Sequence, residues 1–294
     1  MFNKKTIAFI ELFIAAITWS SLFIFLKDLE KAGLDPANII SARMIITSIM
    51  IGVIALVMKL KFPAWKDVPL LMTPGILFFF GAILIASGEE GQSPGITAFL
   101  GFFIPIVLSL FLLRKLKVKL NRIGIISLVV AVAGFILTGA GDVIKFNIDI
   151  LIIFLGACLA GVYFVSQKFL VKKHGPYVVT VFAMWGGVPF ALFFMPSFFS
   201  QIPQMDGGNW VMMIALCVIA TLIPFFMFTH AMREAGPAEG TAVNILIPFF
   251  GSLLAWVING FSLSTLTVVG GLMSLAGVLV YISKGIENTE ENPG

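Results

Sequence analysis

ITAFLGFFIP at residues 96–105 and EGTAVNILIP at 239–248 are two copies of one pattern, each closing on a proline, Pro105 and Pro248. The displacement that carries the first proline onto the second recurs along the chain. It carries Ser93-Pro94 onto Gly236-Pro237, and VVAVAGFIL at 129–137 onto LMSLAGVLV at 272–280, with Ala133-Gly134 falling on Ala276-Gly277. Between these landmarks both copies stay apolar and of equal length. One offset for every landmark is the mark of an internal duplication.

The medium around the duplicated unit follows from composition. The chain has 294 residues, of which 59% are hydrophobic and 12% charged, with mean hydropathy +1.06. A soluble domain carries about 45–50% apolar and about 25% charged residues. So few charges cannot cover a surface in water, and lipid must solvate this one. Cys158 and Cys217 sit in apolar runs without zinc-type spacing and read as packing residues. Lys4 and Lys5 precede an apolar run over 6–25 that resembles a secretion signal. It is long enough to span and ends at Lys27-Asp28 without a small-residue cleavage site, so it reads as the first spanning helix.

About 20 mostly apolar residues cross the hydrocarbon core as a helix. Such runs fall at 6–26, 37–58, 68–87, 95–113, 122–139, 148–167, 177–196, 209–229, 241–259 and 265–283, ten in all. Asp35-Pro36 is an N-cap with proline in the first turn and opens the second run. Ser93-Pro94 opens the fourth, and Gly175-Pro176 parts the sixth from the seventh. Pro74, Pro105, Pro189, Pro224 and Pro248 fall inside runs and predict kinks rather than breaks.

Lys and Arg test this count. Fifteen of the nineteen fall on one side of the alternating loops: Lys4-Lys5, Lys59 to Lys66, Arg114 to Arg122, Lys168 to Lys173, Arg233 and Lys284. Lys27, Lys31 and Lys145 fall on the other, and Arg43 lies within a run. The positive-inside rule makes the rich side cytoplasmic, with both termini there. The net charge of +4 therefore serves topology, not nucleic acid. Five spans per copy is an odd number, so the second copy enters the membrane from the opposite face. The expected architecture is an all-α integral membrane protein of ten transmembrane helices, arranged as two inverted five-helix repeats, 1–141 and 142–294. Inverted repeats build carriers, because two such halves can exchange conformations around a midplane site.

Ala231-Met232-Arg233 with Pro237 and Pro248, and the later Ala276-Gly277-Val278, resemble the EamA-like branch of the drug/metabolite transporter superfamily. Ala16, Trp19, Pro36 and Arg43 resemble its opening spans. The likeness covers 6–283. It departs where that family often has a Glu after the fourth and ninth spans, near Val118 and Phe261 here. The resemblance implies a central cavity lined by spans one, three, four, six, eight and nine, and often export of amino acids or related metabolites from the cell.

Charges within spans are the candidates for chemistry, because each costs about 2.5–3.5 kcal/mol at helix centre on insertion scales. Glu11, roughly 8 Å into its span, can take a proton, a cation or an amine, or reach the interface. Arg43 can meet a substrate carboxylate, although its family position favours helix pairing. Glu89 and Glu90, between Gly88 and Gly91, form either an outer gate or a solvated loop. Trp19, Tyr163 and Trp185 can wall a pocket for an amine or aromatic substrate, or pack in the core or against lipid. Gln167, Asn244 and His230 add hydrogen-bonding groups, and His230 near its span's inner end is either a proton carrier or an interfacial residue. Gly156-xxx-Ala160 and Gly236-xxx-Gly240 have the spacing of close helix packing.

Other classes lack their signatures. Gly139-Ala140-Gly141-Asp142 matches the GxGD string of intramembrane aspartyl proteases, but no span supplies a second mid-membrane Asp. There is no P-loop and no HExxH in the sequence. An enzyme, a metal site and a cofactor are therefore not expected. A channel-like facilitator needs a polar stripe along its path, and a membrane scaffold or receptor needs extramembrane bulk; the longest expected loop is only 197–208. The expected partners are a small-molecule substrate such as an amino acid or amine, the lipid bilayer, and a proton or cation as coupling ion, in a monomer or homodimer.

Overall fold

The computed structural model describes residues 3–89, 92, 96–103, 107, 121–140, 148–235, 237–260 and 262–284. Among them there is helix and turn but no strand. Nine described segments are long and apolar enough to span a membrane: Lys4–Lys31, Pro36–Val57, Trp65–Glu89, Arg122–Ala140, Ile148–His174, Pro176–Gln204, Gly207–Ala231, Ala242–Asn259 and Thr265–Lys284. The remaining run, expected at 95–113, is described only as helix over 96–103 and at residue 107. The rest of it lies outside the described residues, with Ser93-Pro94, Pro105, Asp142, Lys145 and Gly236.

Helices are numbered in chain order. The first half holds α1 (Lys4–Ser20), α2 (Leu22–Lys31), α3 (Pro36–Val57), α4 (Val68–Glu89), α5 (96–103) and α6 (Arg122–Ala140). The second holds α7 (Ile148–His174), α8 (Pro176–Ala191), α9 (Met195–Gln201), α10 (Gly207–Cys217), α11 (Ile223–Ala231), α12 (Pro237–Asn244), α13 (Ile247–Asn259) and α14 (Thr265–Lys284). Asp35 caps α3 as its sequence suggests, accepting from Ala37 N at 2.8 Å with Pro36 in the first turn. The loop expected at 197–208 is helical to Gln204. Asn38 of α3 holds it there, donating to Gln201 at 2.8 Å and Ser197 at 2.9 Å.

Prolines behave in two ways. Pro74 and Pro189 sit inside continuous helices. Pro248 instead ends one: α12 stops at Asn244, and α13 begins at Ile247. The expected kink is a break, because the ring collides with the carbonyl four residues back, here that of Asn244. Ser20 of α1 faces this break, its Oγ 2.9 Å from Ile247 O and 2.6 Å from Ala16 O. Before Pro224 the chain makes one wide π turn over Val218–Leu222, and Thr221 donates to Leu216 O at 2.7 Å.

Lipid gives apolar helices no reason to prefer each other, so close backbone approach decides which pairs form. α6 lies along α14. A Cβ on Gly134 would collide with Gly270 O and Ser274 N, and one on Gly277 with Ser127 O and Ala131 N. The repeat offset carries positions 127, 131 and 134 onto 270, 274 and 277, so each contact occurs twice with roles exchanged. Ser274 Oγ donates to Ala131 O at 3.0 Å, and these two are themselves counterparts under the offset. Numbers rise along α6 as they fall along α14, so the pair is antiparallel. The same close packing joins α4 to α7, where Gly81 and Gly156 each present a carbonyl to the other's α-carbon.

Candidate functional site

Three clusters lie along the line between α1–α2 and its neighbours. The middle one is a cavity of about 50 Å³, whose walls include Trp19, Phe23, Arg43, Phe78, Phe102 and Phe164. Helix α3 brings Arg43 there, which adds the second span to the lining that the family resemblance implies. Arg43 is 2% exposed, and its Nη1 has no hydrogen-bond partner among the described residues. Trp19 anchors an aromatic cluster, with ring centroids 5.3 Å from Phe225 and Phe228 and 5.4 Å from Phe164. Phe78 extends it, 5.1 Å from Tyr163 and 5.2 Å from Phe225. Tyr163 is buried, with Thr229 beside its hydroxyl.

The second cluster lies about 12 Å along α1 at the helical rise, toward the face that carries Lys4 and Lys284. There His230 Nδ1 of α11 sits 2.9 Å from both carboxylate oxygens of Glu11. Either protonation state of the imidazole can offer an N–H to the acid. Both side chains line a groove of about 320 Å³ with Ile54, Tyr177, Phe226 and Met227. Two residues weighed separately in the sequence, 219 positions apart, thus form one pair across the two halves.

The third cluster is at the opposite face. Glu89 ends α4 fully buried, and neither carboxylate oxygen has a hydrogen-bond partner among the described residues. Lys27 donates to Glu89 O at 3.0 Å and pairs with Glu30 at 3.9 Å. Glu90 lies outside the described residues. Asn259 of α13 donates to the Asp28 carboxylate at 3.2 Å, joining the two halves at this face as Glu11–His230 does at the other.

The remaining candidates are elsewhere. Trp185 faces the side of the bundle, where its Nε1 donates to Ser48 O at 3.2 Å and its ring meets Phe62 and Phe182. Asn244 is buried at the break before α13. Gln167 lies on α7, and its side chain is outside the described residues. Glu239 did not enter the sequence reading. It is buried at the start of α12, beside Tyr281. A signal was there: its counterpart in the first copy is Ile96, so the second copy carries an acid where the first is apolar.

Apolar spans around an internal cavity, with polar links at both ends, define a multi-pass membrane protein. The model of the EamA-like transporter family matches residues 6–140 and 147–283, and the chain belongs to that family. It is therefore a small-molecule transporter. An "uncharacterized transporter YdfC" of Bacillus subtilis is 26% identical over 88% of this chain and 86% of its own. A "probable terminal-alkyne amino-acid exporter" of Streptantibioticus cattleyicolor is 24% identical over 92% and 91%. A "S-adenosylmethionine/S-adenosylhomocysteine transporter" of Chlamydia muridarum is 22% identical over 94% and 92%. A protein of known crystal structure shares the fold with TM-score 0.73, over 93% of this chain and 96% of that one, at 17% identity.

Proposed function

We propose that this protein is a secondary carrier of the cell membrane that exports a small organic metabolite, such as an amino acid or amine, by alternating access. Its ten spans form two inverted five-helix halves, 1–141 and 142–294, with both termini cytoplasmic. The α6–α14 crossing carries this reading. Contacts that occur twice with exchanged roles imply a two-fold relation. For antiparallel helices crossing a bilayer, that axis lies in the membrane plane. Halves related in this way can trade conformations, closing one face while opening the other. The polar links at the two faces suit such an exchange, Glu11–His230 closing the cytoplasmic side and Asp28–Asn259 the outer one. Glu11 and His230 are also the candidate seat of a coupling proton, since an acid and an imidazole in hydrogen-bond contact can each hold one. Relatives named for amino-acid export and for S-adenosylmethionine transport support a substrate of this size class.

Counterflow in vesicles reconstituted with the full chain tests the carrier. A labelled amino-acid and amine mixture outside should accumulate transiently when the same unlabelled compounds are loaded inside, with a saturable rate. Flux that rises linearly with concentration and ignores the inner load would belong to a channel and overturn the proposal.

A further inference from the structure

A positive charge that meets no counter-charge among the described residues of the central cavity narrows the substrate. Arg43 is buried, lines the cavity, and has no ion-pair partner among the described residues. The other described wall residues are apolar, including Trp19, Phe23, Phe78 and Phe164, and no acid is among them. A guanidinium removed from water is costly unless an anion meets it, and its planar fork matches a carboxylate with two parallel hydrogen bonds. We propose that Arg43 receives the carboxylate of the transported molecule, and that the carrier prefers compact apolar carboxylates to amines. This rests on the carrier reading and deepens it.

Charge bookkeeping ranks the ligands. A monoanion neutralises the site. A zwitterion also does so but brings an ammonium that meets only aromatic faces, a partial compensation. An amine adds a second positive charge beside the first. The cavity of about 50 Å³ holds only a few waters, so binding must part the rings of Trp19, Phe78 and Phe164, and a short aliphatic body suits it better than a large one.

Isocaproate, leucine and isoamylamine share one branched body and differ only in their charged groups. Binding of each to the purified full chain in detergent, followed by calorimetry and thermal shift, tests the ranking without any mutation. Isocaproate should bind at least about tenfold more tightly than leucine, and isoamylamine more weakly than both. Arg43→Met should lower isocaproate affinity by about 30-fold or more, the loss expected when one partner of a buried charge pair is removed. Arg43→Lys should stay within about tenfold of the parent, keeping the charge without the fork. Isoamylamine binding as tightly as isocaproate, or undiminished isocaproate binding by folded Arg43→Met, would overturn the proposal. Should Arg43→Met fail to fold, the unmutated ranking and Arg43→Lys decide. Counterflow separates the two readings. Isocaproate that binds through Arg43 but shows no counterflow removes the carrier and leaves the site, whereas counterflow of isoamylamine without carboxylate binding removes the site and leaves the carrier.

Discussion

The α4–α7 seam and the α1–α11 seam join the same two halves but are built from opposite materials. Under the repeat offset α7 falls on α1, and α4 falls on α10–α11, so the seams occupy corresponding places. In the first, Gly81 and Gly156 let backbone meet backbone, with Ala160 beside them. In the second, those positions hold Pro224, Phe13 and Ile17. Its space is filled by the rings of Trp19, Phe225 and Phe228, and its end by Glu11 and His230. The matching pair in the first seam, Phe154 and Ser87, carries no charge.

Where Gly81 and Gly156 meet there is no side chain to turn, although the rings of Phe78 and Tyr163 meet elsewhere in the same seam, 5.1 Å apart. Aromatic rings can change rotamer, and an ion pair can part and reform. Packed interfaces tend to have discrete arrangements rather than a continuum of them. Under the proposed mechanism the Gly81–Gly156 contact is the fixed one, and the Glu11–His230 end of α1–α11 is the contact that opens.

The sharpest way to break the contrast is to put a branched side chain into the tight seam. Gly156→Val should cost about 3 kcal/mol or abolish the folded protein, since its Cβ meets the Gly81 carbonyl and Ile85 N. Ile17→Ala, at the place that matches Ala160, should change stability by less than about 0.5 kcal/mol, because Ile17 is exposed. Thermal unfolding of both variants in one detergent checks the pair, and equal losses would erase the distinction. A smaller effect sharpens the gating side. Glu11→Gln, His230→Ala and the double variant should all fold, with a coupling energy of about 1 kcal/mol, reduced because the His230 side chain is a third exposed. Transport should fall in each single variant and fall little further in the double one. Unchanged rates in reconstituted singles would remove the pair from the mechanism.

Much of the scaffold was legible in the sequence because lipid imposes a length and a hydropathy on each span. The Asp35-Pro36 start of α3, the Gly156-xxx-Ala160 contact and the duplication with its single offset could all be read there. What lines the cavity could not. In water a helix advertises its buried face by polarity, but here both faces are apolar. Trp19 is buried and Trp256 is half exposed, and Phe225 and Phe193 differ as much, with nothing in their neighbourhoods to tell them apart. Glu11 and His230 were each conspicuous, yet their meeting depends on how α1 packs against α11. The break before Pro248 reads as a kink in the sequence because local sequence does not say how a neighbouring helix will pack there, here α1 with Ser20 against Ile247 O.

Opposed entry of the two halves into the membrane can be tested at one pair of exposed positions, Lys61 and Gln204, which the repeat offset brings into correspondence. Each is replaced singly, Lys61→Cys or Gln204→Cys, in a Cys158→Ala/Cys217→Ala background, and intact cells are treated with a membrane-impermeant maleimide. Gln204→Cys should be labelled at once and Lys61→Cys only after the membrane is opened. Labelling of both from the same side would contradict the inverted arrangement and, with it, the alternating mechanism.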